Sequence, residues 1–466
     1  MYPYCRHIRE MDLQDLGALL DRLDEAKFRK VTKQFFAGHL SRFHYVVQTT
    51  GKYRASRLDF KQILIDVGDL ITQQAPMLEA ISEPASSDVL SSALPAWIPR
   101  LSHLHELNLW DGKALEDETM RNLLHVHCPR LRDLTMFSAT GSDPDHYLAG
   151  FIGGMPDHAL TSFYNISTCS IGPETCLALN AHGRSLRTLK LQLETEGVLA
   201  LSLLQSCTQL QTLHLSSSQT PVDLKATQND VYLGITEWLK QCGSLTDVSI
   251  RGLVSAPDLL LPILLNEDVS LTNLEISGGE NSLYQAKDHH DFHKALGTQS
   301  GLQSLLLRAD PDPMTRDDVE AVLDGLCRLT GLRELNLLGI SDYLSDHHIE
   351  TLAQHMKRLV TIYIGGYGIT DAVFNDVATL KHLKSITFAG LTSFTVDGIL
   401  AFIDQLGDGN AGFVLSVDMA DPDTMISEEG QELLRERLAD KLGGRFDYQP
   451  LRGAENTSGG KVFFDF

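Results

Sequence analysis

One hydrophobic pattern constrains this chain more than any other feature. The pattern L-x-x-L-x-L, with aliphatic or aromatic substitutes, occurs eleven times, at spacings of 24 to 35 residues. The copies begin at Leu104, Leu131, Leu160, Leu186, Leu210, Leu245, Leu271, Leu302, Leu332, Leu359 and Leu383. Eleven copies of three positions make 33, and 32 of these are apolar, with Asn165 the exception. A hydrophobic content of 43% would give about 14 by chance, so the copies are a structural repeat.

Each copy predicts a short strand followed by a helix. The last two apolar positions alternate with polar residues, as a strand requires, and the residues after them show helical spacing, for example Met120, Leu123 and Leu124. Neither element can bury its apolar side alone, so consecutive units are expected to stack on a shared core. The predicted fold class is α/β: a leucine-rich-repeat solenoid, a ribonuclease-inhibitor-like horseshoe with a parallel concave sheet and convex helices.

Three regions are predicted along the chain. Residues 1–100 read as a helical N-terminal flank or cap with degenerate repeats, near Met11 and near Ile81. Residues 101–412 are the solenoid. Residues 413–466 read as a C-terminal strand–helix cap and a tail, which would cover the last apolar face.

The composition favours a protein target. Lysine and arginine total 39 against 61 aspartates and glutamates, which gives a net charge of −22. Such an acidic surface repels polyanions, so neither a nucleic acid nor a membrane is expected as a partner. The first residues contain no signal-peptide core, and the seven cysteines include no C-x-x-C pair. The expected location is therefore cytoplasmic or nuclear.

The strand alternation predicts a binding surface. Side chains that alternate with the apolar positions should point to the concave face, where they could contact a protein target. The candidates are Glu106, Asn108, Trp110, Asp133, Phe137, Tyr164, Lys190, His214, Asp247, Arg251, Glu275, Arg308, Glu334 and Tyr363. Trp110, Phe137 and Tyr164 would form one aromatic run over three repeats, of the residue types enriched in interface hot spots.

Enzyme and metal signatures are not found in the sequence. No nucleophile elbow, phosphate-binding loop or dinucleotide fingerprint occurs, so we expect no enzymatic activity, no catalytic residues and no cofactor. The histidines of the segment 288–293, among them His289 and His293, are not followed by a matching carboxylate or a Glu-x-x-His sequence, as a metal site would require. They are interpreted as a solvated helix start, and no metal is predicted.

Cysteine stands three residues before the first leucine in three repeats, at Cys128, Cys207 and Cys242, where a buried apolar residue is expected. The first of these reads C-P-R-L-R-D-L-T-M, close to the pattern C-P-x-L-x-x-L-x-L, and residues 369–371 read I-T-D ahead of a helix. The combination resembles the cysteine-containing repeats of F-box proteins. The segments YCRHIREMDLQDL, RFHYVV and RLDF resemble the region after the F-box in filamentous-fungal F-box/leucine-rich-repeat proteins.

The resemblance implies a non-enzymatic recognition module, the substrate-binding part of an F-box-type ubiquitin-ligase receptor. Two features depart from the family. No F-box is recognisable, so a ligase adaptor is expected as partner only if an F-box exists upstream. The usual Asn or Cys eight residues after the first leucine is replaced, for example by Gly112 and Ala139, which predicts irregular turns. The alternatives are a GTPase-activating regulator of the leucine-rich-repeat type and a structural scaffold.

Overall fold

The computed structural model describes residues 3–48, 56–167, 169–217, 222–279, 283–310, 314–337, 339–340 and 343–450. The chain divides into two compact units. Unit 1 comprises Met1–Gln219 and Leu233–Cys242, and unit 2 comprises Thr220–Tyr232 and Gly243–Phe466. The predicted tail from residue 451 onward lies outside the described residues. The division at residues 100 and 412 stays a prediction.

Unit 1 alternates strands and helices along the chain. Its strands are β1 (Glu10–Asp12), β2 (Val46–Gln48), β3 (Ser56–Leu58), β4 (Ala80–Ser82), β5 (Glu106–Asp111), β6 (Asp133–Ser138), β7 (Ser162–Asn165), β8 (Thr188–Leu193) and β9 (Thr212–Ser217). Its helices are α1 (Leu13–Asp24), α2 (Arg29–Phe35), α3 (Phe60–Gln74), α4 (Val89–Trp97), α5 (Glu118–His127), α6 (Pro144–Gly154), α7 (Pro173–Leu179) and α8 (Thr195–Ala200).

Unit 2 has the same alternation. Helix α9 (Leu224–Thr227) belongs to it, and helix α10 (Asn229–Lys240) contributes residues to both units. Its strands are β10 (Asp247–Arg251), β11 (Asn273–Ser277), β12 (Tyr284–Gln285), β13 (Ser304–Leu307), β14 (Ala309–Asp310), β15 (Glu334–Leu337), β16 (Thr361–Ile364), β17 (Tyr367–Ile369), β18 (Ser385–Phe388), β19 (Leu391–Thr392), β20 (Val414–Ala420) and β21 (Arg445–Pro450). The remaining helices are α11 (Ala256–Leu264), α12 (His290–Leu296), α13 (Arg316–Leu326), α14 (Asp346–His355), α15 (Phe374–Val377), α16 (Val396–Gln405) and α17 (Glu428–Leu442).

The repeat strands of each unit pair in parallel, whereas β2 and β3 form a separate antiparallel pair in unit 1. In unit 1 the order is β1, β4, β5, β6, β7, β8, β9. In unit 2 it is β10, β11, β13, β15, β16, β18, β20, β21. Each of the eleven sequence copies has its strand in one of these two series, and parallel pairing through helical crossovers follows from the strand–helix repeat. The fold is that of a leucine-rich-repeat protein.

The apolar positions form continuous buried ladders. The central residues of the copies lie side by side in register and have almost no solvent exposure. The ladder of unit 1 is Leu107, Leu134, Phe163, Leu189 and Leu213. The ladder of unit 2 is Val248, Leu274, Leu305, Leu335, Ile362, Ile386, Leu415 and Phe446. Each such side chain contributes about 2 kcal/mol of burial free energy, so the ladders contribute substantially to stability together with the buried helix faces.

Asn165, the exception to the apolar pattern, is buried with its polar atoms satisfied. Its side-chain oxygen accepts a hydrogen bond from the backbone N–H of Gln192 at 3.1 Å, and its amide donates to the carbonyl of Ser167. Because a buried amide without partners would be costly, this arrangement explains why the repeat tolerates asparagine here.

The N-terminal hundred residues also contribute to the sheet. Strand β1 pairs with β4, so that Met11 lies beside Ile81, and β4 pairs with β5. These are the residues in which the sequence showed repeat fragments. Both side chains are buried.

Helix starts are connected across neighbouring repeats. In unit 2, the Asp346 carboxylate accepts the backbone N–H of Thr370 at 2.8 Å and its hydroxyl at 2.5 Å. Asp371 accepts the same two groups of Thr395, at 3.0 and 2.6 Å. The usual Asn or Cys ladder is absent, as the sequence indicated, but these carboxylates connect the repeats in a regular way. These contacts do not involve the positions eight residues after the first leucine, so the expectation of irregular turns stays a prediction.

In unit 1, one carboxylate accepts three backbone N–H groups at the start of the helix in the next repeat. The Asp145 carboxylate, in the first turn of α6, accepts the backbone N–H groups of Gly172, Thr175 and Glu174 at 2.8, 2.9 and 3.0 Å. These N–H groups begin α7 and have no partner within that helix. A Cβ on Gly172 would lie 2.8 Å from the Asp145 carboxylate, so glycine permits the close approach.

The segment 288–293 is not the solvated helix start that the sequence suggested. His293 is fully buried, and its Nε2 lies 3.3 Å from the hydroxyl oxygen of Tyr284. Burial lowers the pKa of His293 to about 3. His289 lies 3.2 Å from the Asp258 carboxylate and 2.8 Å from the Gln285 carbonyl. The i, i+4 spacing in the sequence places the rings of His289 and His293 on one helix face. The sequence alone does not show that side chains of neighbouring repeats cover this face.

All seven cysteines are free, and five of them are buried, including the three that the sequence placed at helix ends. Burial raises the pKa of Cys128, Cys169, Cys176, Cys207 and Cys242 to about 12. The sequence interpretation of Cys128, Cys207 and Cys242 as buried apolar residues is confirmed.

These thiols are expected to resist modification in the native protein, because the thiolate is the reactive form and burial disfavours it. With Ellman's reagent near pH 8, we expect reaction at Cys5 and Cys327, which are partly exposed, and at all seven cysteines after denaturation. Rapid modification of more than two thiols in the native protein would contradict the buried positions.

Candidate functional site

The fourteen candidate residues lie where the strand alternation predicted. Their side chains alternate with the buried ladders, on what we call the open face of each unit. Glu106, Asn108, Trp110, Asp133, Phe137, Tyr164, Lys190 and His214 lie on the open face of unit 1. Asp247, Arg251, Glu275, Arg308, Glu334 and Tyr363 lie on the open face of unit 2. Arg251 and Glu334 are exposed, and the other twelve are half-buried.

Two of the three predicted aromatic residues stack. The rings of Trp110 and Phe137 are 4.0 Å apart between centroids and 7° from parallel. Tyr164 lies in a different row, since it is in register with Thr135, two residues before Phe137. The aromatic run is therefore a stacked pair with a separate tyrosine, and the half-buried pair offers a flat apolar surface.

The Trp110 strand is held in place by a buried carboxylate. Glu83 accepts the backbone N–H of Trp110 at 2.9 Å and that of Leu90, at the start of α4, at 2.8 Å. Burial raises the pKa of Glu83, although both N–H groups act in the opposite direction. Ser138 also donates to the Trp110 carbonyl, at 3.3 Å. The tryptophan therefore stands on fixed backbone, which reduces the entropy that binding would cost.

Charge varies along the open face of unit 1. One row across the strands reads Asn108, Thr135, Tyr164, Lys190 and His214. In it, the ammonium of Lys190 lies 5.4 Å from the centre of the Tyr164 ring, a cation–π contact. The neighbouring row carries Glu106 and Asp133 beside each other. Acidic, aromatic and basic side chains therefore lie next to one another on this face. Such a surface could bind a partner that has both apolar and charged groups.

An ion pair dominates one side of the open face of unit 2. The Arg251 guanidinium holds the Glu275 carboxylate through two contacts, of 2.7 and 2.9 Å. The hydroxyls of Ser277 and Ser249 donate to the same carboxylate at 2.8 and 2.9 Å. Burial raises the pKa of Glu275, but these hydrogen bonds outweigh it and leave the pKa below its usual range. Glu275 is therefore ionised and already well bonded, so Arg251 is the more available of the two.

The other side of this face contains a tyrosine and a carboxylate that the sequence analysis missed. The Tyr363 hydroxyl lies 3.5 Å from the Asp418 carboxylate of β20. Burial raises the pKa of Tyr363 to about 12, and burial also raises the pKa of Asp418. Asp447, on β21, lies on the same face. The alternation of V-L-S-V-D could have identified Asp418, but residues 413–448 were interpreted only as a cap.

Metal and membrane features were also searched. Within the described ranges, no group of three or more His, Cys, Asp or Glu side chains is arranged to hold a metal ion. Over the same residues, no helix has both the length and the apolar character to cross a bilayer.

Comparisons with known proteins give structural neighbours only. No protein-family model matches the chain, and no curated protein matches its sequence. An internalin from Listeria monocytogenes is similar in structure, with a TM-score of 0.39 and 16% identity over 79% of this chain and 85% of that one. TLR13, solved in complex with the RNA ssRNA13, has a TM-score of 0.33 and 11% identity, over 75% of this chain and 58% of that one.

Proposed function

We propose that the chain is a non-enzymatic protein-recognition module. The proposal rests mainly on the stacked Trp110–Phe137 pair, whose backbone is held in place by hydrogen bonds. The neighbouring rows of side chains on the same face contain Tyr164, Lys190 and Asp133. Rigid aromatic side chains surrounded by polar ones are typical of binding hot spots. Among the described residues of the open faces, the contacts of the candidate side chains are ring stacking, cation–π and ion-pair contacts, which serve binding.

The finer proposal is a substrate-binding role in an F-box-type ubiquitin-ligase receptor of fungal kind, in the cytoplasm or nucleus. It rests on the resemblance at Cys128 and at the I-T-D of residues 369–371. In the structure, Cys128 is the C-cap of helix α5. Thr370 is the N-cap of the short 3-10 helix Asp371–Val373. Adaptor binding would require an F-box upstream of this chain, so a pull-down of the adaptor should succeed only with a protein that carries one.

Removal of the tryptophan tests the recognition proposal. Cross-linking mass spectrometry of the native protein identifies the partner, and its affinity is then measured with purified proteins. We expect Trp110→Ala to weaken the partner's binding by about 30-fold, since a hot-spot aromatic contributes about 2 kcal/mol. Val126→Ala is the matched control, because Val126 is 72% exposed on helix α5, outside the open face, and should leave the affinity unchanged.

Two further measurements exclude indirect effects. Circular dichroism should show the same secondary structure for both variants, and Trp110→Phe should retain most of the affinity because it preserves an aromatic ring. Unchanged binding by a folded Trp110→Ala variant would reject the open face of unit 1 as the binding surface.

A further inference from the structure

Unit 2 contains a cleft at the starts of its strands, separate from the open face. It has a volume of about 710 Å³ and spans four consecutive repeats. Its walls come from the residues on either side of the first pattern leucine: Arg358 and His382 before it, and Arg333 and Lys384 after it. Arg358 and His382 each stand immediately before the first pattern leucine of their repeats. The first two of the four repeats have Gly301 and Gly331 at this position, which leaves the cleft open.

The cleft is basic although the protein has a net charge of −22. Its walls include two arginines, a lysine and a histidine, and none of the described residues that line it is acidic. Arg333, Arg358 and Lys384 are exposed, and among the described residues no carboxylate pairs with any of them. The Lys384 ammonium donates instead to the carbonyl of Ala411 at 2.7 Å. Three cations therefore share this cleft without a counter-charge from the described residues that line it.

The strand register fixes the spacing of these charges. The backbone N–H of Val360 donates to the Arg333 carbonyl at 2.7 Å, and that of Lys384 donates to the Val360 carbonyl at 2.7 Å. Arg333 and Lys384 therefore start strands that are two positions apart in the sheet, about 10 Å at the usual strand spacing. Arg358 precedes β16, the strand between them, and His382 lies two residues before Lys384 ahead of the same strand, β18. This spacing fits two or three adjacent anionic groups.

We propose that this cleft binds a short peptide segment with clustered negative charge, from acidic or phosphorylated side chains. Arginine forks bind carboxylate and phosphate oxygens in pairs, and clusters of arginine recognise such motifs. A peptide is favoured over a nucleic acid because the basic area is short. A longer polyanion would extend beyond these basic groups and would be repelled by the protein's net charge of −22.

Fluorescence anisotropy with defined probes tests the proposal. The probes are a labelled peptide of about twelve residues with four central glutamates, the same peptide with phosphoserines, and the same peptide with glutamines. A single-stranded RNA of similar length is the fourth probe. The wild-type protein should bind the two charged peptides and not the glutamine peptide. The tighter of the two charged peptides identifies whether carboxylate or phosphate is preferred.

Substitution identifies the cleft as the site. We expect Arg333→Gln combined with Arg358→Gln to weaken binding of the charged peptides by about tenfold. Arg316→Gln combined with Arg437→Gln is the matched control, since it makes the same change in net charge at exposed arginines on helices α13 and α17. Trp110→Ala should also have no effect on these probes, which separates this site from the open face of unit 1.

Three results would overturn the proposal. The first is equal affinity for the charged and the glutamine peptides. The second is an equal loss in the cleft variant and in the control variant. The third is binding of the RNA without binding of the peptides, which would assign the cleft to a different class of partner. Melting temperatures within about 2 °C of wild type confirm that the exposed substitutions leave the fold intact.

Discussion

Replacement of Gly325 by alanine should destabilise the protein by about 3 kcal/mol or more. Gly325 lies in helix α13, where a Cβ would be 1.9 Å from the backbone carbonyl oxygen of His293 in helix α12. The obstacle is backbone, which cannot rotate away as a side chain can, so the two helices would have to separate. Overpacking of a buried contact typically costs about 1–3 kcal/mol, and a backbone clash lies at the upper end. We expect the melting temperature to fall by about 3–6 °C, the lower value applying if the whole chain unfolds together and the higher if unit 2 unfolds by itself.

Gly153→Ala is the control for this prediction. Gly153 also lies in a helix, α6, but a Cβ there would meet nothing within 4 Å. Alanine is the better helix former by about 1 kcal/mol, so this variant should be as stable as wild type or slightly more so. Thermal unfolding of the two variants side by side measures the difference. If Gly325→Ala melts at the same temperature as Gly153→Ala, the close approach of α12 and α13 is wrong.

The second large effect is expected at Asp145. Alanine at this position removes the acceptor of three backbone N–H groups at the start of α7. Hydrogen bonds to a charged group contribute about 1.5–3 kcal/mol, and N-terminal caps up to about 2 kcal/mol, so we expect a loss of about 2–3 kcal/mol. Asp145→Asn should lose less, because its remaining oxygen still accepts N–H groups. Chemical denaturation measures both values.

A nearby carboxylate provides the control for Asp145. Asp143 caps α6 itself through one bond, to the backbone N–H of His146 at 3.1 Å. Asp143→Ala makes the same change in charge and should cost about 1 kcal/mol. Cys176, buried within α7, gives a local readout, since loosening of that helix should make its thiol reactive in Asp145→Ala alone. Equal losses for the two alanine variants would contradict the triple cap.

The fold could be predicted from the sequence because each repeat carries its own hydrophobic pattern. Every one of the eleven copies forms a parallel strand, and the alternation within each strand separates the buried ladder from the open face. These are local properties: a strand's period of two is visible in six residues. The position of Trp110 and Phe137 on neighbouring strands follows from the same register.

Features that depend on two repeats could not be predicted in this way. The Asp145 cap joins residues about one repeat apart, and nothing in the sequence near α7 indicates where its acceptor lies. The basic cleft collects one or two cations from each of three repeats, separated in the chain by acidic and apolar residues. The burial of His293 depends on the close approach at Gly325. Periodicity reveals which face a residue takes, but not what the next repeat places against it.

The Asp346–Thr370 and Asp371–Thr395 contacts give this part of unit 2 a polarity. In both, the acceptor belongs to the repeat that comes first in the chain, and the donor begins the helix of the repeat that follows. Truncation from the C-terminal side would leave the remaining helix starts with their acceptors, whereas truncation from the N-terminal side would remove the acceptor that the first remaining helix start needs. The two ends of such an array are therefore not equivalent. A shortened or transplanted array would have to retain the helix start that precedes its first repeat.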